Sequence, residues 1–250
     1  MNSKVNIQKI EELSLHALPA LETQLVDGWI VRFSNGYTKR ANSVNPLSPS
    51  NDEVKEKIVA MRNMYRTQNL KVVYKLTTNV FPENLDAILE HEGYALDGLT
   101  SVQLLPLHVG TAPPANNAVI YNDFDDKWFT DFCALNKVRE TDRPTLKQML
   151  QRIVPRVCYV TLFQDNKEPL ACGMGVLEDG YIGLFDIVTN EKYRNKGYAQ
   201  QLISTILHWG KEHGAKHAYL QVVLDNHPAL NLYSKLGFKE AYRYWYRIER

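Results

Sequence analysis

One short basic segment stands between an apolar run and a long amphipathic pattern: Arg194-Asn195-Lys196-Gly197-Tyr198-Ala199. The first turn of a helix leaves backbone N–H groups without intrahelical partners, and the helix dipole adds partial positive charge there. Such a helix start binds anions, and a glycine lets a phosphate approach the backbone closely. Basic side chains oppose the dipole at this end, which favours a bound anion over a merely solvated helix start. The segment therefore predicts a pyrophosphate site, to which Lys192, Arg194 and Lys196 add charge.

Other glycine and histidine patterns fit known sites poorly. No G-x-x-x-x-G-K-[ST] motif occurs, which argues against a P-loop. Gly173-Met174-Gly175 lies inside a predicted strand and lacks the third glycine of a dinucleotide fingerprint, so it predicts a β-bulge or a tight packing site. His213 and His217 are separated by Gly214, which ends a helix, so their spacing does not place them on one face. No metal site is indicated.

A second segment, Asn226 to Phe238, completes a recognisable pattern. Arg194 to Ala199 matches [QR]-x-x-G-x-[GA], and Asn226 to Phe238 resembles N-x-x-A-x-x-L-Y-x-x-x-G-F. In this order, and after the strand Ile187-Val188-Thr189, the two segments resemble the GCN5-related N-acetyltransferases (GNAT) from about Val157 to Ile248. The resemblance implies acetyl-CoA as cosubstrate and no metal. It also implies acetyl transfer to a primary amine of a small molecule or a peptide by direct attack.

The resemblance also implies roles for individual residues. Backbone amides from Lys196 to Ala199 would hold the pyrophosphate, and the strand from Ile187 to Thr189 would pair with the pantetheine arm. Tyr233 would protonate the leaving thiolate, whereas without the resemblance it would be interpreted as a buried aromatic. Asn226 would hydrogen-bond the cofactor arm. The cofactor-binding set is thus Ile187, Val188, Thr189, Arg194, Asn195, Lys196, Gly197, Tyr198, Ala199, Asn226 and Tyr233, and the catalytic set is Tyr233, Asn226 and Asp186.

The general base is the least defined of these roles. Asp186 precedes the cofactor-pairing strand, and strict alternation places it on the same side as Leu184 and Val188. A carboxylate among apolar strand neighbours is costly unless it is paired or functional. Asp186 is therefore either the base or a structural partner of a basic residue. Glu140, Asp142 and Arg143 are candidates for contact with the acceptor, with a polar surface loop as the alternative for each.

The elements that must position these residues follow an α/β (α+β) order. Periodicity in the C-terminal half predicts helices over 126–138 and 145–152, then strands over 157–163, 170–177 and 181–189 with a hairpin turn at Asp179-Gly180. A helix (196–213), a strand (217–224), a helix (228–236) and a last strand (238–248) complete this half. The N-terminal half predicts a hairpin of Trp29–Phe33 and Tyr37–Arg40 around Asn35-Gly36. A helix (51–68), a strand (71–76), a helix (84–91) and a strand (94–105) follow.

The shared order predicts an internal duplication, with chance agreement of two α/β halves as the alternative. Two GNAT-like domains are expected, each a mixed, mostly antiparallel sheet flanked by helices. The predicted divisions are a degenerate domain over 1–107, a linker over 108–117 and a catalytic domain over 118–250. The first half has Pro46 and Pro49 but no glycine between its hairpin and its helix. Since proline lacks an N–H donor, this half is expected to bind no cofactor.

Composition narrows the function classes. Among 250 residues, 44% are hydrophobic, 23% are charged and the net charge is +1, so nucleic acid and membrane partners are not expected. Cys133, Cys158 and Cys172 predict buried, reduced thiols in a cytoplasmic protein, and the first residues lack the apolar core of a signal peptide. The remaining alternative to an enzyme is a non-catalytic acyl-CoA sensor or scaffold.

Overall fold

The computed structural model describes residues 6–49, 53–107, 113–165 and 168–250. Its first elements confirm most of the predicted helices and strands of the N-terminal half and add a helix, α1, and two strands, β1 and β3, that the patterns did not predict. The helix predicted over 51–68 begins outside the described residues. In chain order these elements are α1 (Ile7–Ala17), β1 (Glu22–Val26), β2 (Trp29–Phe33), a 3-10 turn (Lys39–Ala41), β3 (Val44–Asn45), α2 (Val54–Thr67), β4 (Val73–Thr77), α3 (Leu85–His91) and β5 (Ala95–Pro106).

The remaining elements follow the predicted order, with one additional short strand, β6. They are β6 (Ala118–Tyr121), α4 (Asp126–Leu135), α5 (Arg143–Leu150), β7 (Arg156–Gln164), β8 (Glu168–Glu178), β9 (Tyr181–Thr189), a 3-10 turn (Glu191–Tyr193), α6 (Tyr198–Glu212), β10 (His217–Val223), α7 (His227–Lys235) and β11 (Lys239–Ile248). None of the helices within the described ranges has the length and apolarity that a bilayer crossing requires.

The predicted hairpin around Asn35-Gly36 is wrong. Both residues have the left-handed φ of a tight turn, 51° and 74°. The Asn42 side chain, however, accepts hydrogen bonds from the backbone N–H groups of Ser34 (2.7 Å) and Gly36 (2.9 Å), and the chain coils into a 3-10 turn instead of returning as a strand. The hairpin lies one strand earlier, between β1 and β2 at residues 27–28, where an Asp-Gly pair carries the same turn signal.

The chain divides into two compact units, and the division differs from the predicted one. The first unit ends at Ser101 and regains Ala241–Arg250, while the second spans Val102–Glu240. The first boundary falls within β5. The second falls within β11, which pairs antiparallel with β4 so that Ile248 faces Val73. A strand's partner is a long-range choice that local periodicity does not encode, which is why the pattern grouped β11 with the C-terminal half.

The first unit contains a sheet in the order β1-β2-β3-β4-β11-β5. Its core is aromatic, with Trp29, Tyr65 and Tyr74 almost fully buried. β3 and β4 run parallel, with α2 between them in the chain, as β9 and β10 do with α6. Gly93 after α3 and Gly237 after α7 both have positive φ. The order of elements is therefore alike in the two units, and the duplication stays a prediction.

The second unit carries the sheet β5-β10-β9-β8-β7-β6, in which β6, β7, β8 and β9 are antiparallel neighbours and β9 and β10 run parallel. The apolar stripe of α6 packs against one face, where Leu202, Ile203 and Ile206 share a core with the strands. α4 covers the other face, where the rings of Trp128 and Tyr159 lie 4.6 Å apart. This confirms the predicted mixed, mostly antiparallel sheet flanked by helices.

Candidate donor and acceptor sites

Among the residues that the structure describes, no side chain caps the backbone amides at the start of α6. Gly197 is the N-cap residue with φ 83° and ψ 1°, and the first turn contains no acidic residue. A Cβ placed on Gly197 would meet no heavy atom within 4 Å, so the space beside it is open. Asn195 also has a left-handed φ, 63°. This geometry turns the loop so that the first-turn N–H groups remain available to an anion from outside the protein.

Acidic side chains partly balance the basic residues of this loop. Tyr193 donates a hydrogen bond from its hydroxyl to Glu168 (2.8 Å), and the Lys196 ammonium lies 5.1 Å from the Tyr193 ring centroid. Arg194 lies 3.5 Å from a carboxylate oxygen of Glu191. These contacts hold the cations near the helix start while leaving them exposed to solvent.

The strand before this loop contains a β-bulge. Met174 faces Phe185 and Cys172 faces Val188, so the single residue between them on β8, Gly173, faces two residues on β9. The bulged residue Asp186 has a φ of 54°. The strict alternation assumed from the sequence is therefore wrong at Asp186, because the bulge inserts one residue.

Both predictions for the glycine pair of β8 are confirmed. The bulge lies opposite Gly173, and a Cβ there would stand 2.6 Å from Cδ1 of Ile187. A Cβ on Gly175 would stand 2.5 Å from Cγ2 of Ile206. The absence of side chains at these two positions lets α6 and Ile187 approach β8 closely.

β9 and β10 pair only over their first halves. Their parallel register runs from Tyr181 opposite His217 to Leu184 opposite Leu220 and extends no further among the described residues. Beyond that point β9 continues to Thr189 while still paired with β8 on its other side. The edge of Ile187–Thr189 that faces away from β8 can therefore accept another extended chain by backbone hydrogen bonds.

Tyr233 and Asn226 both belong to α7, which follows β10. Tyr233 is 9% exposed and shares one hydrophobic cluster with Ile187 and Tyr198. Burial raises the pKa of its phenol to about 12. Asn226 is exposed and caps the helix, since its Oδ1 accepts a hydrogen bond from the Ala229 N–H at 3.3 Å. Its side-chain NH2 group is not needed for that cap and can serve as a donor.

Part of the predicted linker has a structural role in the second unit. The Ala115 N–H donates to Oγ1 of Thr205 on α6 (3.1 Å), and the Asn117 side chain donates to the Phe163 carbonyl (2.9 Å). Together with α6, this segment borders an open cleft of about 470 Å³, lined by Pro113, Ala115, Asn116, Asn117, Gly197, Gln200, Gln201 and Ser204. Sequence reasoning missed this cleft, because proline and asparagine signal a loop without showing what it packs against. Residues 108–112 of the linker lie outside the described residues.

Asp186 faces the side of the sheet covered by α4. The carboxylate is half-buried, and its charge adds to the effect of burial in raising the pKa values of the Cys133 thiol and the Tyr159 phenol. Arg143 opposes the shift at Cys133. The structure thus brings Asp186 near α4, on the face opposite α6.

The three candidate acceptor contacts, which lie in and just after the loop between α4 and α5, have different surroundings. Asp142 accepts two hydrogen bonds from Arg139, at 2.7 and 3.2 Å, and is therefore engaged within the loop. Glu140 is exposed. Arg143 donates from Nε to the Val138 carbonyl at 3.3 Å.

The loop between α4 and α5 also contacts the 3-10 turn that precedes α6. Lys137 donates to both carboxylate oxygens of Glu191, each at 2.9 Å. This hydrogen bond lowers the pKa of the Glu191 carboxyl group. The acceptor-side loop and the turn that precedes α6 are thereby in direct contact.

The cysteines are buried free thiols, as predicted. Burial raises the pKa of both Cys158 and Cys172 to about 12, so neither is a reactive thiolate. Among the residues that the structure describes, no three His, Cys, Asp or Glu side chains group as metal ligands would.

The comparisons with known proteins agree with this fold. The chain is 29% identical to the uncharacterized N-acetyltransferase YobR of Bacillus subtilis, over 98% of this chain and 99% of that protein. It is 38% identical to N-alpha-acetyltransferase 30 of Schizosaccharomyces pombe over 49% of this chain and 87% of that protein. The solved structure of a GCN5-related N-acetyltransferase from Kribbella flavida superposes with a TM-score of 0.73, at 14% identity, over 99% of this chain and 96% of that one. A tandem GNAT protein from the clavulanic acid biosynthesis pathway gives 0.61 at 11% identity, over 82% and 75%.

The fold and these relatives define an N-acetyltransferase of the GCN5-related type. Within that class, the chain belongs to the family described as "Probable histone acetyltransferase Rv0428c C-terminal", whose model matches residues 4–247.

Proposed function

We propose that this protein transfers an acetyl group from acetyl-CoA to a primary amine of a small molecule or peptide by direct attack. One observation carries the proposal: β9, which has separated from β10, leads through one short turn to the start of α6, whose amides are not capped by any described side chain. The amides from Lys196 to Ala199 fit a diphosphate, and the free edge of Ile187–Thr189 fits the amide-bearing pantetheine arm. The open space beside Gly197 leaves room for the diphosphate.

The other members of the predicted donor site take supporting roles. Arg194 and Lys196 add positive charge beside the phosphates, and the side-chain NH2 of Asn226 donates to the pantetheine arm. The cleft beside Gly197 can take the uncharged part of the nucleotide, because its lining has no charged side chain and combines apolar groups with neutral polar ones such as Asn116 and Gln200.

The reaction joins the acceptor nitrogen to the acetyl carbon and breaks the carbon–sulfur bond. Asp186 takes the proton that the amine must lose, directly or through a water. A backbone N–H of the free β9 edge stabilises the negative charge that develops on the thioester oxygen. Tyr233 donates its hydroxyl proton toward the departing sulfur, and the products are the amide and the free thiol.

The pKa of Tyr233 bears on this last step. A phenol with a pKa of about 12 keeps its proton throughout the neutral range, so a donor is always present. Complete proton transfer from this phenol to a thiolate, whose conjugate acid has a pKa of about 8.5, is unfavourable because the phenol is the weaker acid. Tyr233 therefore acts as a hydrogen-bond donor that stabilises the departing thiolate, and the thiolate takes the proton of the free thiol from solvent.

The experiment pairs two glycine substitutions. Gly197→Glu places a carboxylate in the predicted diphosphate site and should weaken CoA binding at least about 100-fold, since charge repulsion adds to the loss of space. Gly214→Glu is the matched control, because Gly214 also has positive φ (96°) with nothing within 4 Å, at the far end of α6. Both variants carry similar backbone strain.

The measurements are CoA affinity by titration calorimetry and free-thiol release from acetyl-CoA with a panel of amines. Equal CoA affinities for the two variants would refute the predicted donor site. Tight CoA binding by the wild type without thiol release for any amine would instead indicate the sensor or scaffold.

A further inference from the structure

Arg143 occupies a fixed position at the first residue of α5. It is half-buried, and its Nε donates to the Val138 carbonyl at 3.3 Å. The Val138 N–H in turn donates to the Cys133 carbonyl at 3.0 Å, near the C-terminal end of α4. The guanidinium group is therefore held against α4 by two successive hydrogen bonds.

The remaining donors of Arg143 have no acidic partner within the described ranges. A guanidinium has five N–H donors, and one of them is used by the Val138 carbonyl. The adjacent carboxylate, Asp142, is held by Arg139. Arg247, another shielded arginine, contacts both Asp86 and Glu90. The buried Arg32 instead donates to three backbone carbonyls, those of Leu15, Leu18 and Arg40. Among the described residues, Arg143 has one carbonyl partner and no carboxylate, so its guanidinium keeps donors that an anion from outside the protein can use.

Arg143 and Asp186 approach the same place on α4 with opposite charges. β9, which carries Asp186, packs against α4, and the hydrogen bonds through Val138 hold Arg143 to the Cys133 end of the same helix. Both charges also act on the buried Cys133 thiol. Asp186 comes from the bulge of β9, and Arg143 comes from the start of α5. A ligand there meets a carboxylate on one element and a guanidinium on another.

We infer that Arg143 binds an anionic group of the acceptor, a carboxylate or a phosphate, while the amine of the same molecule lies at Asp186. This inference rests on the proposed function and narrows the acceptor class to amines that carry an acidic group, as free amino acids and amino-alkyl phosphates do. The planar guanidinium fork matches either anion with two parallel hydrogen bonds. Simple alkylamines and polyamines lack that group.

The test compares acceptors that differ only in the anion. The ligands are the proteinogenic amino acids against their carboxamides, and O-phosphoethanolamine against ethanolamine, which separates the carboxylate source from the phosphate source. Affinity is measured by titration into the CoA-saturated protein, and kcat/KM is measured by thiol release. We expect at least one acid to bind about 10- to 100-fold more tightly than its uncharged analogue, the usual effect of a charge-assisted hydrogen bond.

Three variants locate the effect. Arg143→Gln should abolish the preference for the acid, mainly through KM, and leave CoA affinity unchanged. Arg143→Lys should retain part of this preference, since lysine keeps the positive charge but lacks the two parallel N–H donors of the guanidinium. Arg139→Gln, in the same loop but engaged with Asp142, should keep the full preference. If Arg143→Gln fails to fold, the preference for acids over their uncharged analogues is compared between the wild type and Arg143→Lys, and an equal preference in the two would contradict the role of the guanidinium fork.

The outcomes separate this inference from the proposed function. Wild type that binds the uncharged analogues as tightly as the acids overturns the role of Arg143, as does a preference that survives Arg143→Gln. If either of these results is found while thiol is still released from acetyl-CoA, the role of Arg143 is wrong but the proposed acetyl transfer is supported. An Arg143-dependent preference without thiol release supports the anion site and overturns the transfer.

Discussion

Tyr233 is the residue whose environment most directly shapes the proposed chemistry. Its phenol is 9% exposed and packs near Phe238, with ring centroids 6.0 Å apart. The protonated form is the active form of an acid, so activity is present below the phenol pKa and lost above it. Since burial raises that pKa to about 12, the alkaline loss of activity shifts upward from the ordinary value of about 10.

We therefore predict that kcat/KM does not fall between pH 8 and about pH 10.5. The measurement is initial-rate thiol release across this range, corrected for thioester hydrolysis. A decline with a midpoint near 10 in the wild type would show that the phenol is not shielded as described. Tyr233→Phe should lower the rate about 100-fold or more at every pH, with the same profile shape.

At the scale of elements, the bulge between β8 and β9 sets the position of the strand edge that the donor would use. Gly173→Ala should push Ile187 outward, because the new Cβ would stand 2.6 Å from its Cδ1. We expect CoA affinity to fall about tenfold and the free energy of unfolding to fall by about 1–2 kcal/mol. CoA titration and chemical denaturation measure the two quantities.

Gly175→Ala is the control for this change. Its Cβ would press on Ile206, within the core and away from the strand edge, so stability should fall by a similar amount while CoA affinity stays unchanged. Equal losses of affinity in both variants would mean that the effect is one of general stability and not of the bulge.

The same elements show what sequence reasoning could and could not reach. The long amphipathic pattern of α6 and the Asp179-Gly180 turn are local signals, and both features are where they were expected. The geometry of Asp186 was not accessible, because a bulge depends on how two strands pair. The predicted hairpin at Asn35-Gly36 is wrong for a related reason, since the Asn42 side chain accepts hydrogen bonds from the backbone N–H groups of Ser34 and Gly36.

The electrostatic partners of the candidate site could not be predicted from the sequence either. In the sequence, Glu140, Asp142 and Arg143 form one charged segment. The structure distinguishes them by the hydrogen bond from Arg139 to Asp142 and by the one from Arg143 to the Val138 carbonyl. The residue-level roles drawn from the family resemblance stay predictions, and the variants above test them.

At the scale of the whole molecule, the path of the chain determines which fragments can fold. β11 pairs with β4, and β10 has β5 beside it, although both β4 and β5 precede the predicted linker. A fragment of residues 118–250, the catalytic domain expected from sequence, would carry β11 without β4 and β10 without β5. Each open edge exposes unpaired backbone groups that favour aggregation.

We predict that the fragment 118–250 is insoluble or lacks a cooperative unfolding transition, and that it does not bind CoA. The matched control is the fragment 95–250, which restores β5, the neighbour of β10 in the second unit and of β11 in the first. It should be more soluble and should regain measurable CoA binding, because the strands that flank the predicted donor site are supported again. Solubility, thermal unfolding and CoA titration compare the two. If 118–250 folded and bound CoA as tightly as the full chain, the returning strands would not be needed, and the division expected from sequence would describe an independent domain after all.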